Sequence, residues 1–380
     1  MNPALRYPVA RPSLTELEEA YVLDALRSGW ISSQGPYLRR FEAEFAARCG
    51  TPTAVATGNG TLALHLVLAA AGIGPGDEVI VPALTYVATA NAVTYCGARP
   101  VFVDVDPATW CVDVDRVGAA VTARTRAVVA VDLYGHPADY PRLREICAGR
   151  DILLVADAAE SFGARLGGTG TGGLADASTF SFFGNKILTS GEGGCVTTFD
   201  PALAERMRLL RNQGMDPQRR YYFPVVGYNY RLTNLAAALL CAQLERGTAM
   251  VQRRQQIVAT YEKAFADLGA LTPQPVAVGV ERAPWMASFL VGPAGDGRLR
   301  DRLAVELDRL GVETRPFFVP IPELPPYRAA ARDDGFPVTT DLSRRGINLP
   351  TYADLTDPEV LDIADRVRTA LARLSAAAPA

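Results

Sequence analysis

Lys186 is a candidate nucleophile, because the 380-residue sequence holds only one other lysine, Lys263, and takes its basic charge almost wholly from arginine. An arginine does not lose its proton in a protein, whereas a lysine amine can attack a carbonyl group once burial or a neighbouring charge has lowered its pKa. Lys186 ends the run Ser-Phe-Phe-Gly-Asn-Lys at 181–186, and a Gly-Glu-Gly-Gly turn follows at 191–194. The sequence therefore predicts a reactive amine at this position. A solvated loop lysine is the alternative interpretation.

Asp157 is the candidate partner of Lys186. The apolar run at 152–156 predicts a buried strand that ends immediately before this aspartate. Pyridoxal phosphate requires a carboxylate that holds its pyridinium proton and a lysine amine that binds it covalently. The two residues therefore predict a pyridoxal-phosphate site, and a helix cap is the alternative role for Asp157.

The sequence Gly-Asn-Gly-Thr at 58–61 is a candidate phosphate site. It follows a short predicted strand at 54–57 and begins a helix, so it presents free backbone N–H groups at the positive end of the helix dipole. An ordinary turn between a strand and a helix has the same composition, and this segment alone does not distinguish the two.

These candidates require a scaffold that brings the ends of several strands together. Apolar segments alternate with helical or loop segments through the first half of the chain, which predicts a mainly parallel sheet covered by helices. The predicted strands are 54–57, 78–82, 100–105, 127–131 and 152–156. Ligands of such sheets bind at the carboxyl ends of the strands. One shared site is expected from the candidates that follow strand ends, which are Gly60, Tyr86, His136, Asp157 and Lys186.

The second half of the chain predicts a smaller α/β unit. A long helix begins near Asn234 and continues towards Leu268, and we expect it to connect two domains. The N-terminal arm and the large domain are predicted over residues 1–245, and the connecting helix and a small C-terminal domain over 246–380. The elements predicted there include strands near 286–291 and 312–315 and a loop over the proline-rich segment 317–327.

The composition restricts the class of protein. A net charge of −3 without a basic cluster argues against nucleic acid as a partner. The six cysteines are scattered and form no Cys-x-x-Cys pair, which predicts free thiols in a reducing cytoplasm and neither a disulfide framework nor a metal site. No segment has the apolar length of a membrane span, and the N-terminus has no apolar signal core, so we expect a cytoplasmic protein that does not bind membranes.

Several motifs follow one another in the order of a known family. They are Gly-Asn-Gly-Thr at 58–61, Pro-Ala-Leu-Thr-Tyr at 82–86, Asp-Ala-Ala-Glu at 157–160, Ser-Phe-Phe-Gly-Asn-Lys at 181–186 and Gly-Tyr-Asn-Tyr-Arg at 227–231. From about Trp30 to Tyr352, the chain resembles the pyridoxal-phosphate sugar aminotransferases of the DegT/StrS family, and within it the GDP-perosamine synthase-like branch. The resemblance implies the type I, aspartate aminotransferase-like fold of PLP-dependent transferases. This α/β fold has a mostly parallel seven-stranded sheet in the large domain and a small C-terminal α/β domain.

The resemblance also implies a role for each matching residue. Lys186 would bind the cofactor covalently and then move protons, and Asp157 would pair with the pyridine nitrogen. The other implied cofactor contacts are Tyr86 on the ring face, Glu160 near the ring 3-hydroxyl, and Gly60, Thr61 and Ser181 at the phosphate. Asn229 would reach the phosphate of the neighbouring subunit, so the site would require a homodimer. The candidate substrate residues are Arg231, which could also be a dimer contact, His136 and Asn185.

The implied activity transfers an amino group from L-glutamate to C-4 of a nucleotide-linked 4-keto-6-deoxyhexose. A 3-keto sugar or a keto-cyclitol is the alternative acceptor. Two further alternatives are a related PLP-dependent sugar dehydratase and a non-catalytic regulatory homologue. The dehydratase would carry His in place of Lys186, and the intact set of Lys186, Asp157 and Ser181 argues against the regulator. The branch often carries histidines in the loop that corresponds to 316–326, and this chain has none there. The nucleotide, whether GDP, TDP or UDP, and the sugar therefore stay open at this point.

Overall fold

The computed structural model describes residues 6–330 and 335–376, in which helices and strands alternate as predicted. The helices are α1 (Glu16–Arg27), α2 (Pro36–Cys49), α3 (Gly60–Ala70), α4 (Ala88–Tyr95), α5 (Val114–Ala120), α6 (Tyr140–Cys147), α7 (Pro201–Arg211), α8 (Asn234–Phe265), α9 (Arg298–Arg309), α10 (Pro337–Arg345) and α11 (Asp357–Ala376). The strands are β1 (Thr53–Thr57), β2 (Glu78–Pro82), β3 (Arg99–Val103), β4 (Thr125–Val131), β5 (Leu153–Asp157), β6 (Arg165–Leu166), β7 (Thr169–Gly170), β8 (Ala177–Ser181), β9 (Gly194–Thr198), β10 (Leu271–Pro273), β11 (Val280–Glu281), β12 (Ala287–Val291), β13 (Arg315–Pro316) and β14 (Gly346–Leu349). Short 3-10 helices cover Leu133–Gly135, Thr171–Gly173, Ile321–Glu323 and Pro325–Ala330.

The central sheet has seven strands in the order β1-β9-β8-β5-β4-β2-β3. Strands β3, β2, β4, β5 and β8 pair in parallel, and β9 is antiparallel to both β8 and β1. Strand β1 therefore runs in the same direction as β8. The carboxyl ends of β1, β8, β5, β4 and β2 consequently lie along one edge of the sheet. The prediction of a mostly parallel seven-stranded sheet is confirmed.

Successive residues of the central strands pack into different cores. In β4, Val128 belongs to one hydrophobic cluster, whereas Val129 belongs to another. Ile80 and Val81 of β2 alternate in the same way. Side chains along a strand point to opposite faces, so a strand that is buried on both faces is apolar throughout. This arrangement explains why the sequence shows continuous apolar runs here, and it leaves the strand ends as the places for polar side chains.

A second, four-stranded antiparallel sheet has the order β10-β12-β14-β13. It packs with α8, α9 and α11 around its own hydrophobic cluster. The predicted strand near 312–315 contributes only Arg315 and Pro316 to this sheet, because Val312 pairs instead with Tyr7 of the N-terminal arm. Helix α8 is continuous across residue 245, where we predicted the end of the large domain. The division into two domains at that position stays a prediction.

Among the described residues, no helix combines the length and the apolar character that crossing a membrane requires.

Candidate active site

A cavity of about 370 Å³ opens at the carboxyl edge of the central sheet. Its walls come from both sheets: the large-domain wall is formed by the ends of β5 and β8 and the start of α3, and the other wall by segments around β12, β13 and β14. The predicted site residues among its lining are Gly60, Thr61, Tyr86, Asp157, Glu160, Ser181, Asn185 and Lys186. The parallel sheet therefore brings together residues from four sequence motifs, as the strand-end argument predicted.

Lys186 lies in the loop after β8, with its side chain only 13% exposed. Its Nζ is 3.7 Å from Glu160 Oε1 and 3.8 Å from the centroid of the Trp285 ring. The indole Nε1 of Trp285 donates to the backbone carbonyl of Asn185 at 2.9 Å and so anchors this loop. Burial lowers the pKa of Lys186, although the charges of Glu160 and Asp157 oppose the shift. Burial therefore shifts Lys186 towards the neutral amine, which is the nucleophilic form of lysine.

Glu160 is buried beside Lys186 and is held by the backbone of Tyr134, whose N–H donates to Glu160 Oε2 at 2.8 Å. Tyr134 adopts a left-handed conformation, with φ of 57°, in the turn after β4. Burial raises the pKa of Glu160 to about 7, although Lys186 opposes the shift. The ion-pair distance alone would suggest two charged groups, but burial shifts both pKa values towards the neutral forms. Burial therefore brings the pKa values of the two groups closer together.

Asp157 ends β5 and lies at the bottom of the cavity. Its Oδ2 accepts the Thr89 hydroxyl at 2.8 Å, and its Oδ1 accepts the Ala159 N–H at 3.3 Å. Burial raises the pKa of Asp157, while these two hydrogen bonds and the charge of Lys186 act in the opposite direction. Within residues 6–330 and 335–376, no basic side chain forms an ion pair with this carboxyl group. A buried carboxylate of this kind is best satisfied by a cationic N–H from a ligand.

The start of α3 forms an open cradle next to Ser181. Asn59 caps this helix, because its Oδ1 accepts the Leu62 N–H at 2.9 Å. A Cβ atom on Gly60 would lie 2.8 Å from the Cβ of Ser181, so only glycine allows this close approach. The free N–H groups of the first turn and the Ser181 hydroxyl can together bind a phosphate group.

Aromatic side chains form the rim of the cavity. Tyr86 precedes α4 and is 59% exposed, and its ring lies 5.9 Å from the ring of Phe318. Phe318 also stacks with Trp285 at 6.5 Å. Because Tyr86 extends into the opening, its ring is available to cover the face of a planar ligand.

Three predicted site residues do not line this cavity. His136 is buried, its Nδ1 lies 2.7 Å from the Pro137 carbonyl, and its Nε2 accepts the Ala277 N–H at 3.1 Å. Asn229 is exposed and pairs with Asn212, whose Oδ1 accepts from Arg231 at 2.8 Å. The roles of all three in catalysis or binding stay predictions. The predicted role of Asn229 concerns a second subunit, and that of Arg231 is a substrate or a dimer contact.

The structure also adds residues that sequence reasoning missed. Thr89 was absent from the prediction, although it lies in the segment after the 82–86 motif and contacts Asp157 directly. Arg315 and Asn348 line the cavity from the second sheet, and Trp285 lines it from the segment just before β12. No local motif marks these three positions, and their sequence distance from Lys186 hides their proximity.

The sequence matches the DegT/DnrJ/EryC1/StrS aminotransferase family over residues 12–368. The chain belongs to this family. The predicted assignment is therefore confirmed, and so is the prediction of a PLP-dependent aminotransferase.

Individual relatives cover nearly the whole chain. The GDP-perosamine synthase of Caulobacter vibrioides is 48% identical over 372 residues, which are 98% of this chain and 99% of the relative. The GDP-perosamine synthase of Escherichia coli O157:H7 is 42% identical over 361 residues, which are 95% and 97% of the two chains. Among solved structures, Spr1654 of Streptococcus pneumoniae in its PMP form has a TM-score of 0.92 at 30% identity and covers 97% of this chain and 98% of its own. These similarities confirm the predicted fold class.

Pyridoxal phosphate fits the groups in the cavity. The buried Asp157 carboxyl lacks a basic partner among the described residues, the Lys186 amine is largely buried, and the cradle at Gly60 and Ser181 can take a phosphate. The cofactor predicted from the sequence is confirmed by family membership, and the cavity offers a matching group for each of its polar ends.

Proposed function

We propose that this protein transfers the amino group of L-glutamate to C-4 of a GDP-linked 4-keto-6-deoxyhexose, giving 2-oxoglutarate and a GDP-linked 4-amino sugar. The observation that carries the proposal is the Lys186 amine, which is largely buried in a cavity with Asp157 and Glu160. The choice of a GDP-linked sugar and of C-4 is supported by the two relatives named GDP-perosamine synthase.

When bound, pyridoxal phosphate supplies an electron sink for the carbon that loses a proton. We propose that Lys186 Nζ removes the proton from the carbon of L-glutamate that gives up the nitrogen. In the second half-reaction it would deliver a proton to C-4 of the sugar, which receives the nitrogen. Asp157 would hold the pyridinium proton and so maintain the electron-withdrawing form of the ring. Glu160 would exchange a proton with Lys186, since the two groups are 3.7 Å apart and burial raises the pKa of Glu160 to about 7.

The first turn of α3 and Ser181 are the proposed phosphate contacts within one subunit. Asn185 is the proposed substrate contact, because its Oδ1 is buried without a hydrogen-bond partner in the described structure, next to Lys186. An unsatisfied buried acceptor is stabilised when a ligand hydroxyl donates to it, and a hexose offers such groups.

We further propose a homodimer in which Asn229 reaches the partner's cofactor phosphate. The support is the exposed segment before it, in which Tyr221, Phe223 and Val226 are 72%, 50% and 90% exposed. A contiguous apolar segment on the surface is typical of a protein–protein contact.

The free state of all six cysteines is in keeping with the cytoplasmic location that we propose.

The test is a product assay with the PLP-loaded protein, L-glutamate carrying an isotope-labelled amino group, and a panel of keto-sugars. GDP-, dTDP- and UDP-linked 4-keto-6-deoxyhexoses are supplied separately, and mass spectrometry measures the labelled amino sugar. We expect a product from the GDP-linked sugar. A product from another nucleotide alone would contradict the proposed nucleotide, and amination of 3-keto sugars alone would contradict C-4.

The two lysines provide a matched control for this assay. Lys186→Ala should give no labelled product, whereas Lys263→Ala should match the wild type, because Lys263 is exposed on α8 and far from the cavity lining. Equal activity of both variants would contradict the assignment of Lys186.

A further inference from the structure

Arg315 brings a cation to the wall of the cavity that faces the large domain. It belongs to β13 of the second sheet and is partly buried. Within residues 6–330 and 335–376, its side chain takes part in no hydrogen bond or ion pair. Arginine side chains that are partly buried are normally paired with carboxylates or carbonyl groups. The guanidinium group of Arg315 is therefore available to an anionic ligand.

Strand pairing places a second polar group beside Arg315. Arg315 stands directly opposite Asn348 of β14, so both side chains lie on the same face of the sheet. Asn348 is buried and also lines the cavity, and its Oδ1 accepts the Ser288 hydroxyl at 2.6 Å. With this oxygen occupied, Asn348 donates through the two N–H groups of its amide nitrogen, and the buried Tyr134 hydroxyl is a neighbouring partner available to one of them. The sheet thus combines a guanidinium and an amide donor, which suits the two oxygens of a carboxylate.

The position of Arg315 relative to Lys186 restricts which anion it can meet. Both residues line one cavity of about 370 Å³, so an anion that Arg315 binds shares this cavity with the Lys186 amine. Burial is the main cause that lowers the pKa of Lys186, and the charge of Arg315 lowers it further, which agrees with their proximity. The shared lining and this charge effect favour an anionic group that belongs to a ligand reacting at Lys186.

We propose that Arg315, assisted by Asn348, binds the α-carboxylate of the amino donor L-glutamate. The inference rests on the proposed function, in which L-glutamate supplies the nitrogen. In an α-amino acid, the carboxylate is bonded to the carbon that carries the amine, so it must lie near Lys186 in the reacting complex. In a nucleotide-linked 4-keto sugar, the first phosphate is separated from C-4 by most of the hexose ring. The cofactor phosphate has its own cradle at Gly60 and Ser181 on the opposite wall.

The test separates the two half-reactions of the holoenzyme. Mixing the PLP form of Arg315→Gln with L-glutamate and following the cofactor absorbance gives the apparent Kd for the donor. We expect this Kd to rise about 10- to 100-fold, because one charge-assisted contact is lost. The amino form, prepared directly with pyridoxamine phosphate, is then mixed with a GDP-linked 4-keto-6-deoxyhexose. The apparent Kd of Arg315→Gln for the keto-sugar should change by less than about threefold, because the inference places no contact between Arg315 and the sugar nucleotide.

Two further variants address the shape and the identity of the contact. Arg315→Lys should recover only part of the affinity, since an ammonium group does not form the paired contact of a guanidinium. Methylguanidinium added to Arg315→Ala should restore part of the L-glutamate half-reaction. Arg344→Gln is the matched control, because Arg344 is an exposed arginine of α10 outside the cavity lining.

Several results would contradict the proposed role of Arg315. An unchanged Kd for L-glutamate in Arg315→Gln would overturn the inference, and so would weakened binding of the keto-sugar or of the cofactor instead. 4-Aminobutyrate lacks the α-carboxylate. If Arg315→Gln weakens the binding of 4-aminobutyrate as much as the binding of L-glutamate, the α-carboxylate assignment is wrong. If the wild type reacts with L-glutamate but aminates no nucleotide sugar, the proposed acceptor fails, whereas the inference on Arg315 is still decided by the donor half-reaction.

Discussion

The Nζ atom of Lys186 lies 3.7 Å from Oε1 of Glu160, inside a cavity that shifts the pKa values of the two groups towards each other. Burial raises the pKa of Glu160 to about 7 and lowers that of Lys186. The two pKa values therefore lie closer together than those of a free lysine and a free glutamate, which is the property that a proton-moving lysine needs.

Glu160→Gln should change the pH dependence of Lys186 reactivity in the cofactor-free protein. As the pH rises through about 7, Glu160 becomes negative and stabilises the ammonium form of Lys186, so it raises the lysine pKa. The variant lacks this charge. Above pH 7 it should contain more neutral amine and capture pyridoxal phosphate faster than the wild type, whereas below pH 7 the difference should disappear. Borohydride trapping of the bound cofactor across a pH series measures the rates. Parallel profiles would show that Glu160 does not control the charge of Lys186.

Lys186→Ala is expected to abolish turnover without unfolding the protein. Loss of the amine removes both the covalent attachment of the cofactor and the proposed base, which should reduce kcat by about 1000-fold or more. Steady-state product formation and circular dichroism provide the two measurements. A variant that keeps about a tenth of the wild-type rate would exclude Lys186 as the reactive amine.

Asp157→Asn should retain bound cofactor but slow the half-reaction with L-glutamate by about two to three orders of magnitude. A neutral amide cannot stabilise the pyridinium ion, and the ring then withdraws electrons poorly. Single-turnover absorbance changes measure the rate, and Thr89→Val tests the same carboxyl group through the hydroxyl that donates to it at 2.8 Å. Unchanged kinetics in Asp157→Asn would assign this residue a structural role.

Asn229→Asp should weaken cofactor binding if this residue contacts the partner's phosphate, because two negative charges would then face each other. Mixing Asn229→Asp with Lys186→Ala should restore part of the activity. In the mixed dimer, one site combines the intact Lys186 of the first variant with the intact Asn229 of the second. Failure to complement, with subunit exchange confirmed by mass spectrometry, would mean that Asn229 serves its own subunit. A monomer in analytical ultracentrifugation would contradict the dimer.

Glu78→Gln tests a part of the fold away from the cavity. Burial opposes the ionisation of Glu78, but hydrogen bonds from Arg99, Thr122 and Arg124 outweigh it and lower the pKa to about 2. A lowered pKa in the folded state stabilises the protein above the ordinary glutamate pKa, and this contribution is lost as the pH falls towards about 2.

The variant should therefore lose less stability than the wild type between about pH 5 and pH 2. The loss of unfolding free energy over this pH range should differ between the wild type and Glu78→Gln by no more than about 2 kcal/mol. Arg99 and Arg124 are more than half exposed, so solvent weakens their ion pairs with Glu78. Urea unfolding over this pH range measures this difference. Identical slopes for the two proteins would contradict the lowered pKa.

The sequence by itself predicted five strands of the central sheet and the residues at their ends, whereas β8 and β9 were established only by the structure. Apolar runs such as 127–131 specify strands that are buried on both faces, and the handedness and length of their connections require parallel neighbours. Parallel strands necessarily align their carboxyl ends. Asp157, Lys186 and Gly60 therefore had to approach one another, and the structure places all three in one cavity.

Only the tertiary structure decided what faces these residues. Trp285, Arg315 and Asn348 reach the cavity because the second sheet and the segment before it form one of its walls, and no local pattern encodes the position of one sheet relative to another. His136 also follows a strand end, yet the left-handed turn at Tyr134 carries it past the cavity and the backbone of Pro137 and Ala277 occupies its ring nitrogens. Strand order brings residues to a common edge, but side-chain packing selects which of them a ligand can reach.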